Sequence, residues 1–306
     1  YSDYDQKYGE PQIALDDALI YDNKGYAPSS LNATGYIYAY YYRGYETNHD
    51  FLANYNNTFV NGRLNINAIA GVNINQRFGT AITGQTDDLA VYTGFYNLSN
   101  GATKTTLSDS KSLRRLLGVY GDVTFGWDDS IFLELTARND WSSTLPINNN
   151  HYFYPGATLS WIFTNYLPKN NVLSFGKLRA SYGRTGSDAP IYSTNATYAQ
   201  ASFAGVYGSG IAKFPMNGTN AFRRGYSIPA TELRPEMTTE FEVGANLRFF
   251  EGRIGLDAAY YNRLTYDQIF SISLDPATGY TGMVYNAGDV RNRGVELLFD
   301  FVPVQT

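Results

Sequence analysis

The segment TEFEVGANLRF, at residues 239–249, decides the fold class of this chain. Its apolar side chains stand at every second position, from Phe241 to Phe249. Apart from Gly244, the positions between them carry polar or charged side chains: Glu240, Glu242, Asn246 and Arg248. Because successive side chains of a β-strand point to opposite faces, this alternation predicts a strand with one apolar face and one charged face.

The same alternation recurs along the 306-residue chain and predicts an all-β fold. A run at 253–263 follows a tight turn at Glu251 and Gly252, so we expect it to pair with 239–249 in a hairpin. Further runs with the same period lie at 64–74, 131–138 and 295–301. We expect about nine or ten spanning strands between residues 36 and 302, and a loop over residues 1–35. No apolar run reaches the roughly eighteen residues that a spanning helix needs.

The lengths of the connections favour a membrane barrel over a soluble β-sandwich, which alternation alone also fits. Short turns are predicted at 61–62, 127–130 and 251–252. Long loops are predicted at 78–111, 187–235 and 267–290. Short turns at one end of the strands and long loops at the other are typical of outer-membrane barrels. The sequence therefore predicts an antiparallel transmembrane β-barrel.

Aromatic residues, which make up 16% of the chain, support this interpretation because they concentrate at predicted strand ends. Such positions are typical of side chains at the membrane–water interface. Those near the long-loop ends are Trp141, Tyr152, Phe153, Tyr154, Tyr182, Tyr260 and Tyr261. An open sheet edge cannot face lipid without leaving backbone groups unpaired, so we expect the strands to be a fragment of a larger closed barrel.

Composition excludes several other classes of function. The chain has 0 Cys, which excludes disulfides and thiolate metal sites, and its net charge of −5 argues against nucleic-acid binding. His49 and His151 are its two histidines, and both are predicted to be solvated residues of extracellular loops. We therefore predict no catalytic residues and no cofactor. The N-terminal residues Ser2, Asp3 and Asp5 offer oxygen ligands for a loop calcium ion, although their spacing is not that of an EF-hand.

Several segments resemble the SusC/RagA-like TonB-dependent transporters of the Gram-negative outer membrane. In chain order, they are FLANYNNTF (51–59), LLGVYGDVTFGWDDSIFLELTARNDWSSTLP (116–146), YFYPGATLSWIFTN (152–165), LRASYGRTGSDA (178–189), LRPEMTTEFEVGANLRFF (233–250), RIGLDAAYYNRLTYDQI (253–269) and NAGDVRNRGVEL (286–297). The resemblance implies a barrel of the 22-stranded type with an N-terminal plug domain. The plug and the segment that contacts TonB are not recognisable here, so we expect a partial barrel over residues 1–306.

The resemblance also implies function. Proteins of this kind import glycans or peptides, draw energy from TonB, work with a SusD-like surface lipoprotein that caps the barrel, and commonly assemble as dimers of transporter–lipoprotein pairs. On that basis the polar strand faces are expected to line the lumen, normally filled by the plug, with Glu240, Glu242, Arg248, Asp257 and Arg263 in the wall. Two alternatives remain open: a structural or adhesive barrel that displays its loops, and an outer-membrane hydrolase built around His49 or His151.

Loop aromatic residues are the candidates for substrate binding. The predicted loop 187–235 contains Tyr192, Tyr198, Phe203, Tyr207 and Phe214 among small residues. Such rings stack on sugars or pack around a peptide. They equally suit packing within the loop or contact with the lipoprotein.

Overall fold

The computed structural model describes residues 2–10, 36–87, 89–91, 97–101, 104–168, 170–203 and 212–303. The strands in this part of the chain are β1 (Ser2–Glu10), β2 (Tyr36–Phe59), β3 (Leu64–Asp87), β4 (Thr106–Trp127), β5 (Ile131–Ser142), β6 (His151–Ile162), β7 (Leu173–Ser187), β8 (Tyr198–Gln200), β9 (Ser202–Phe203), β10 (Ala212–Lys213), β11 (Phe222–Arg224), β12 (Ser227–Ile228), β13 (Glu236–Phe249), β14 (Ile254–Tyr266), β15 (Ile269–Ser273), β16 (Gly282–Asn286) and β17 (Val290–Phe301). Within the described residues, no helical segment is long and apolar enough to cross a bilayer.

Ten of the described strands form one sheet, in the order β1-β2-β3-β4-β5-β6-β7-β13-β14-β17. The pairs β4–β5, β5–β6, β6–β7, β7–β13, β13–β14 and β14–β17 are all antiparallel. The prediction of an antiparallel all-β fold is confirmed. The seven short strands lie in the connections that follow β7 and β14, where they form small sheets of two or three strands.

Two hairpin turns share one backbone conformation. The residues at 60–62 and at 250–252 have positive φ angles throughout, and both turns end on a glycine. Gly62 and Gly252 have φ values of 92° and 90°, which a residue with a Cβ adopts only under strain. The Asn-Gly and Glu-Gly pairs therefore stand where the turns need them, and the predicted hairpin of 239–249 with 253–263 is confirmed.

Some strands lie in stretches that the sequence pattern places in loops. Residues 2–10 form β1, which pairs antiparallel with β2 from Ser2–Gly44 to Glu10–Tyr36. β3 continues to Asp87 and β4 begins at Thr106, so both enter the predicted loop 78–111. Polar residues are common at both parities here, so period two is hidden, and main-chain pairing rather than an apolar face defines the strands. Tyr1 and residues 11–35 lie outside the described part of the chain.

The chain divides into two compact units, Tyr1–Asn48 with Asn75–Arg114, and His49–Ile74 with Arg115–Thr306. In the first unit, the rings of Tyr45 and Phe78 stack with centroids 5.1 Å apart. Arg77 Nε lies 3.0 Å from Glu46 Oε1, and Asn75 donates to the same oxygen. This unit thus combines an aromatic stack with a polar cluster.

The second unit has its buried core among the connections at one end of the sheet. The core cluster consists of Leu145, Tyr152, Ala189, Ala230, Leu233 and Met237. Tyr154, Tyr266, Ile269 and Val284 pack against it. The long loops are therefore held to the strand ends by an apolar core of their own.

The sheet of the second unit has two chemically different faces. Val243 stands between Ala180 and Tyr260, and Leu247 stands opposite Leu256, so apolar side chains share one face across strands. Many of them are exposed, from 37% for Val243 to 72% for Leu297. A continuous exposed apolar face is what lipid covers on a membrane barrel.

The parity of the strands corrects part of the aromatic prediction. Trp141, Phe153, Tyr182 and Tyr260 do lie on the apolar face. Tyr152, Tyr154 and Tyr261 were also expected at the interface, but they point to the opposite face. Tyr152, for example, is 6% exposed and packs in the core cluster. Adjacent aromatic residues in a strand necessarily separate onto two faces.

Candidate functional site

The polar face of the second unit is organised around Arg179 of β7. Its Nε lies 3.2 Å from Glu242 Oε1 of β13, and its Nη1 lies 2.9 Å from Asp257 Oδ1 of β14. Asn246 Nδ2 donates to the other oxygen of Asp257 at 2.7 Å. One guanidinium therefore joins three strands through charge-assisted hydrogen bonds.

Gly244 makes room for this guanidinium. Gly244 is the register partner of Arg179, between Glu242 and Asn246. A Cβ at Gly244 would lie 2.7 Å from both Cζ and Nε of Arg179, closer than nonbonded atoms approach. Gly244 interrupts the row of polar residues on β13, and the missing side chain leaves the space that the Arg179 guanidinium occupies.

The other predicted wall residues lie on the same face. Arg263 is the register partner of Glu240, and its Nη2 lies 2.7 Å from Glu240 Oε2. Arg248 is exposed and stands opposite Gly255. The structure thus places Glu240, Glu242, Arg248, Asp257 and Arg263 together on the polar face.

A groove of about 330 Å³ crosses β5, β6, β7 and β13 on this face. Its lining includes Gly156 and Gly183, which are direct register partners. A Cβ at Gly183 would meet no atom within 4 Å, so the groove is open above it. Glu134 and Glu240 stand in its walls, and hydroxyl groups come from Thr136, Thr158 and Ser181. The groove is small, acidic at its walls and otherwise neutral.

Neutral amides cover the polar face at β2 and β3. Asn56 donates to Asn67, and Asn67 Nδ2 donates to Asn65 Oδ1 at 2.8 Å. Farther along, Asn73 Nδ2 donates to Asp50 Oδ1 at 2.6 Å. An amide both donates and accepts, so this surface offers hydrogen bonds without a strong field of one sign.

A buried polar network holds the loop end of β5 and β6. Asp140, which is 4% exposed, accepts from Arg138 Nε at 2.7 Å and from the Tyr154 hydroxyl at 2.5 Å. Asp188, just after β7, accepts from Ser142 Oγ at 2.5 Å and from Thr144 Oγ1 at 3.1 Å. These bonds satisfy buried groups and fix the base of the loop that follows β5.

The loop aromatic candidates stand in separate segments. Tyr192 is in the turn at 191–194 and is 46% exposed. Tyr198 is in β8 and is 68% exposed, whereas Phe214 follows β10 and is half-buried. Phe203 is in β9, and Tyr207 lies outside the described residues. Their role in substrate binding stays a prediction.

The histidines and the proposed calcium ligands occupy strands rather than the expected loops. His49 lies within β2, and His151 is the first residue of β6, opposite Trp141. Both histidines are exposed. Ser2, Asp3 and Asp5 lie in β1. A calcium ion at these residues therefore stays a prediction, now without a loop to wrap the ion.

Sequence reasoning did not assign Arg179 and Gly244, although the signal was available. Lys177, Arg179 and Ser181 alternate with Leu178, Ala180 and Tyr182, as in the other strands. That parity places Arg179 on the polar face. The glycine groove had no such signal, because only the register shows that Gly156 and Gly183 are neighbours across two strands.

The comparison with known families agrees with this two-faced sheet. The sequence profile described as "TonB dependent receptor-like, beta-barrel" matches residues 1–302. The chain belongs to the TonB-dependent receptor-like β-barrel family. It is therefore part of an outer-membrane β-barrel, and the family is one of receptors rather than enzymes. In such a barrel the apolar face meets lipid and the polar face lines the interior.

Curated members of the family cover most of this chain. It is 28% identical over 204 residues to the TonB-dependent receptor SusC of Bacteroides thetaiotaomicron. The aligned residues span 62% of this chain and 19% of SusC. It is 27% identical over 220 residues to the TonB-dependent receptor P26 of Formosa agariphila. That alignment spans 70% of this chain and 21% of P26. The chain thus spans about a fifth of the length of these relatives.

Solved structures show the same fold. The structure of the RagAB peptide transporter superimposes with a TM-score of 0.73 at 20% identity, over 86% of this chain and 28% of the transporter chain. The RagAB peptide importer in its "open-open" state gives the same TM-score at 19% identity, over 89% of this chain and 29% of that chain. The resemblance to SusC- and RagA-like barrels is confirmed.

Proposed function

We propose that the protein to which this chain belongs imports oligomeric nutrients, glycans or peptides, across the outer membrane with energy supplied through TonB. The observation that carries the proposal is the two-faced sheet. One face is apolar and exposed, whereas the other carries the Arg179 ion pairs, the glycine groove and the amides. Membership of the TonB-dependent receptor family supports the energy source.

The chemistry of the polar face suits passage rather than tight capture. Its main ion pairs are partly exposed, with side-chain exposures of 29–34% around Arg179 and 31–52% for Arg263 and Glu240. Exposed pairs hold their partners weakly, so they exchange readily with water or with polar cargo. The groove and the amides add further hydrogen-bonding groups to this face. Neither glycans nor peptides are favoured by this surface alone.

The partners follow from the same proposal. A SusD-like surface lipoprotein would cap the loop end of the barrel, and TonB would act through a plug domain. Two such transporter–lipoprotein pairs would assemble as a dimer. The support is the similarity to SusC, of which the chain matches a fifth.

A deletion strain tests the proposal. Loss of the full-length protein should abolish growth on the oligomeric glycan or peptide that it imports, while growth on the matching monosaccharide or amino acids continues. Deletion of TonB in the otherwise normal strain should cause the same defect. Surface binding of the oligomer that persists without TonB, together with unchanged uptake, would instead identify an adhesive barrel.

A further inference from the structure

A cleft of about 650 Å³ lies among the long connections of the second unit, between residues 228–234 and 283–286. Its floor is continuous with the core cluster, because Ala230 and Leu233 belong to that cluster and Val284 packs against it. Tyr285 stands in its wall and is 52% exposed. The volume lies within the range of ordinary ligand sites, and the core cluster backs the floor.

The edge of strand β16 borders this cleft. β12 pairs with β16 in parallel at two positions, Ser227 with Gly282 and Ile228 with Met283. The chain then leaves the sheet at Pro229, which has no N–H to donate. On its other side, β16 stays paired with β15 as far as Asn286. The space beside residues 284–286 is therefore the place that a longer β12 would have filled.

The phase of the β15–β16 ladder shows where the main-chain groups of β16 point. Leu274 N donates to Thr281 O at 3.0 Å, and Ala287 N donates to Gln268 O at 2.8 Å. Both pairs share the register of β15 and β16. Hydrogen-bonded pairs alternate along an antiparallel ladder, so Val284 and Asn286 direct their main-chain groups away from β15, toward the cleft.

Asn286, at the end of β16, ties this strand to Arg234 of the opposite wall. Asn286 Oδ1 accepts from Arg234 N, and Asn286 Nδ2 donates to Arg234 O, both at 2.8 Å. Arg234 Nη2 lies 2.7 Å from Asp267 Oδ1. Among the described residues, this wall carries one cation, Arg234, against the two carboxylates of Asp267 and Glu232, so its net negative charge disfavours the carboxylate of a free peptide. The site suits the interior of a polypeptide better than its end.

We propose that the cleft binds an internal, extended segment of a partner protein, which adds as a short strand along residues 284–286. Its main chain pairs with Val284 and Asn286, and an apolar side chain of the segment packs on Ile228 and Met283. This docking site goes beyond the import proposal and does not depend on it.

Peptide binding to the purified full-length protein in detergent tests the site. The probe is a fluorescein-labelled pentapeptide, Thr-Val-Leu-Val-Thr, capped at both ends, and fluorescence anisotropy reports its binding. Two further probes carry N-methyl groups on alternate amides, in the two possible phases. Strand addition predicts that one of the two N-methylated probes binds at least tenfold more weakly than the unmethylated peptide. The other methylated probe should bind within threefold of the unmethylated peptide. No saturable binding of the parent, or equal affinity of all three probes, would overturn the proposal.

A variant locates the binding. Thr231 is exposed and lines the cleft, so Thr231→Trp should fill it and weaken binding at least tenfold. Thr219→Trp is the matched control, since Thr219 is exposed outside the cleft, and it should leave affinity unchanged. Equal affinity in both variants would contradict the assignment.

The same assay separates a partner segment from transported peptide. The pentapeptide with a free C-terminal carboxylate should bind at least tenfold more weakly than the capped one, because that carboxylate meets the net negative charge of Glu232, Asp267 and Arg234. Equal binding of the uncapped form would make the cleft a cargo site and overturn the proposal. These measurements involve neither TonB nor uptake, so their failure leaves the import proposal standing.

Discussion

At the scale of single residues, Arg179 shows how the wall is held together. Its guanidinium serves Glu242 and Asp257 on two different strands, and it lies over Gly244. All three charged side chains are about one-third exposed, so water screens the attraction and its net value is modest. The bridge therefore orients the wall more than it stabilises the fold.

Replacing Arg179 should cost more stability than replacing Arg263. Arg179→Met leaves two partly buried carboxylates without their cation, and we expect a loss of about 1–2 kcal/mol. Arg263→Met is the matched control, because Arg263 is 52% exposed and pairs with Glu240, and we expect about 0.5 kcal/mol or less. Urea unfolding of the full-length protein in lipid vesicles measures both. Equal losses would contradict the bridging role of Arg179.

A charge placed on the two faces of β13 should have opposite consequences. Val243 is on the apolar face near the middle of the strand, so Val243→Arg should lower the free energy of unfolding by about 2–4 kcal/mol. Asn246→Arg puts the same side chain on the polar face beside Asp257, and stability should change by less than about 1 kcal/mol. Unfolding in vesicles again reports the difference. Similar values for the two variants would mean that the faces are wrongly assigned.

At the scale of elements, alternation predicted those strands in which one face is apolar. β13, β14 and β17 follow the expected pattern almost residue by residue. β1 and the outer parts of β3 and β4 escaped prediction because polar residues occur at both odd and even positions of their sequences. Such strands are defined by main-chain pairing with a neighbour, which a local sequence pattern does not report.

The turn between β13 and β14 should be sensitive to its glycine. Gly252 has a φ of 90°, so Gly252→Ala should cost about 1–2 kcal/mol through backbone strain. Gly183→Ala is the control, because its Cβ would enter open space, and stability should change by about 0.5 kcal/mol or less. Unfolding titrations compare the two variants. A larger loss at Gly183 would contradict the described backbone.

An ion pair between two turns should make stability depend on pH. Arg63, in the turn after β2, contacts Asp128, in the turn after β4, with Nη2–Oδ2 and Nε–Oδ1 distances of 2.5 and 2.8 Å. The hydrogen bonds from Arg63 lower the pKa of the Asp128 carboxyl. A lowered pKa means that this stabilisation is present at neutral pH and is lost as the pH falls through that pKa.

Comparison of the wild type with Arg63→Gln measures this effect. Their difference in unfolding free energy should be constant between pH 5 and 7 and should shrink below about pH 4, near the ordinary pKa of aspartate. Arg253→Gln, in the turn between β13 and β14, is the control and should show no such dependence. A difference that persists undiminished at pH 3 would exclude Asp128 as the partner.

At the scale of the whole molecule, the sequence predicted the fold class and the chemistry of the two faces better than it predicted sites. The five wall residues fell on one face because parity within a strand is a local property. The glycine groove and the cleft beside β16 depend on which strands are neighbours and where their pairing stops. Loop aromatics such as Tyr192 and Tyr198 lack a period that would assign them a direction, so their role stays open.

The strict register of β13 limits how this barrel wall can change through insertions and deletions. Removal of a single residue within the strand would move Glu240 and Glu242 to the lipid side, or the apolar side chains to the interior, because the period of a strand is two residues. The connection between β7 and β13 carries no such parity. Changes in chain length are therefore tolerated in the loops. Differences in what related proteins recognise should arise there and not in the strands.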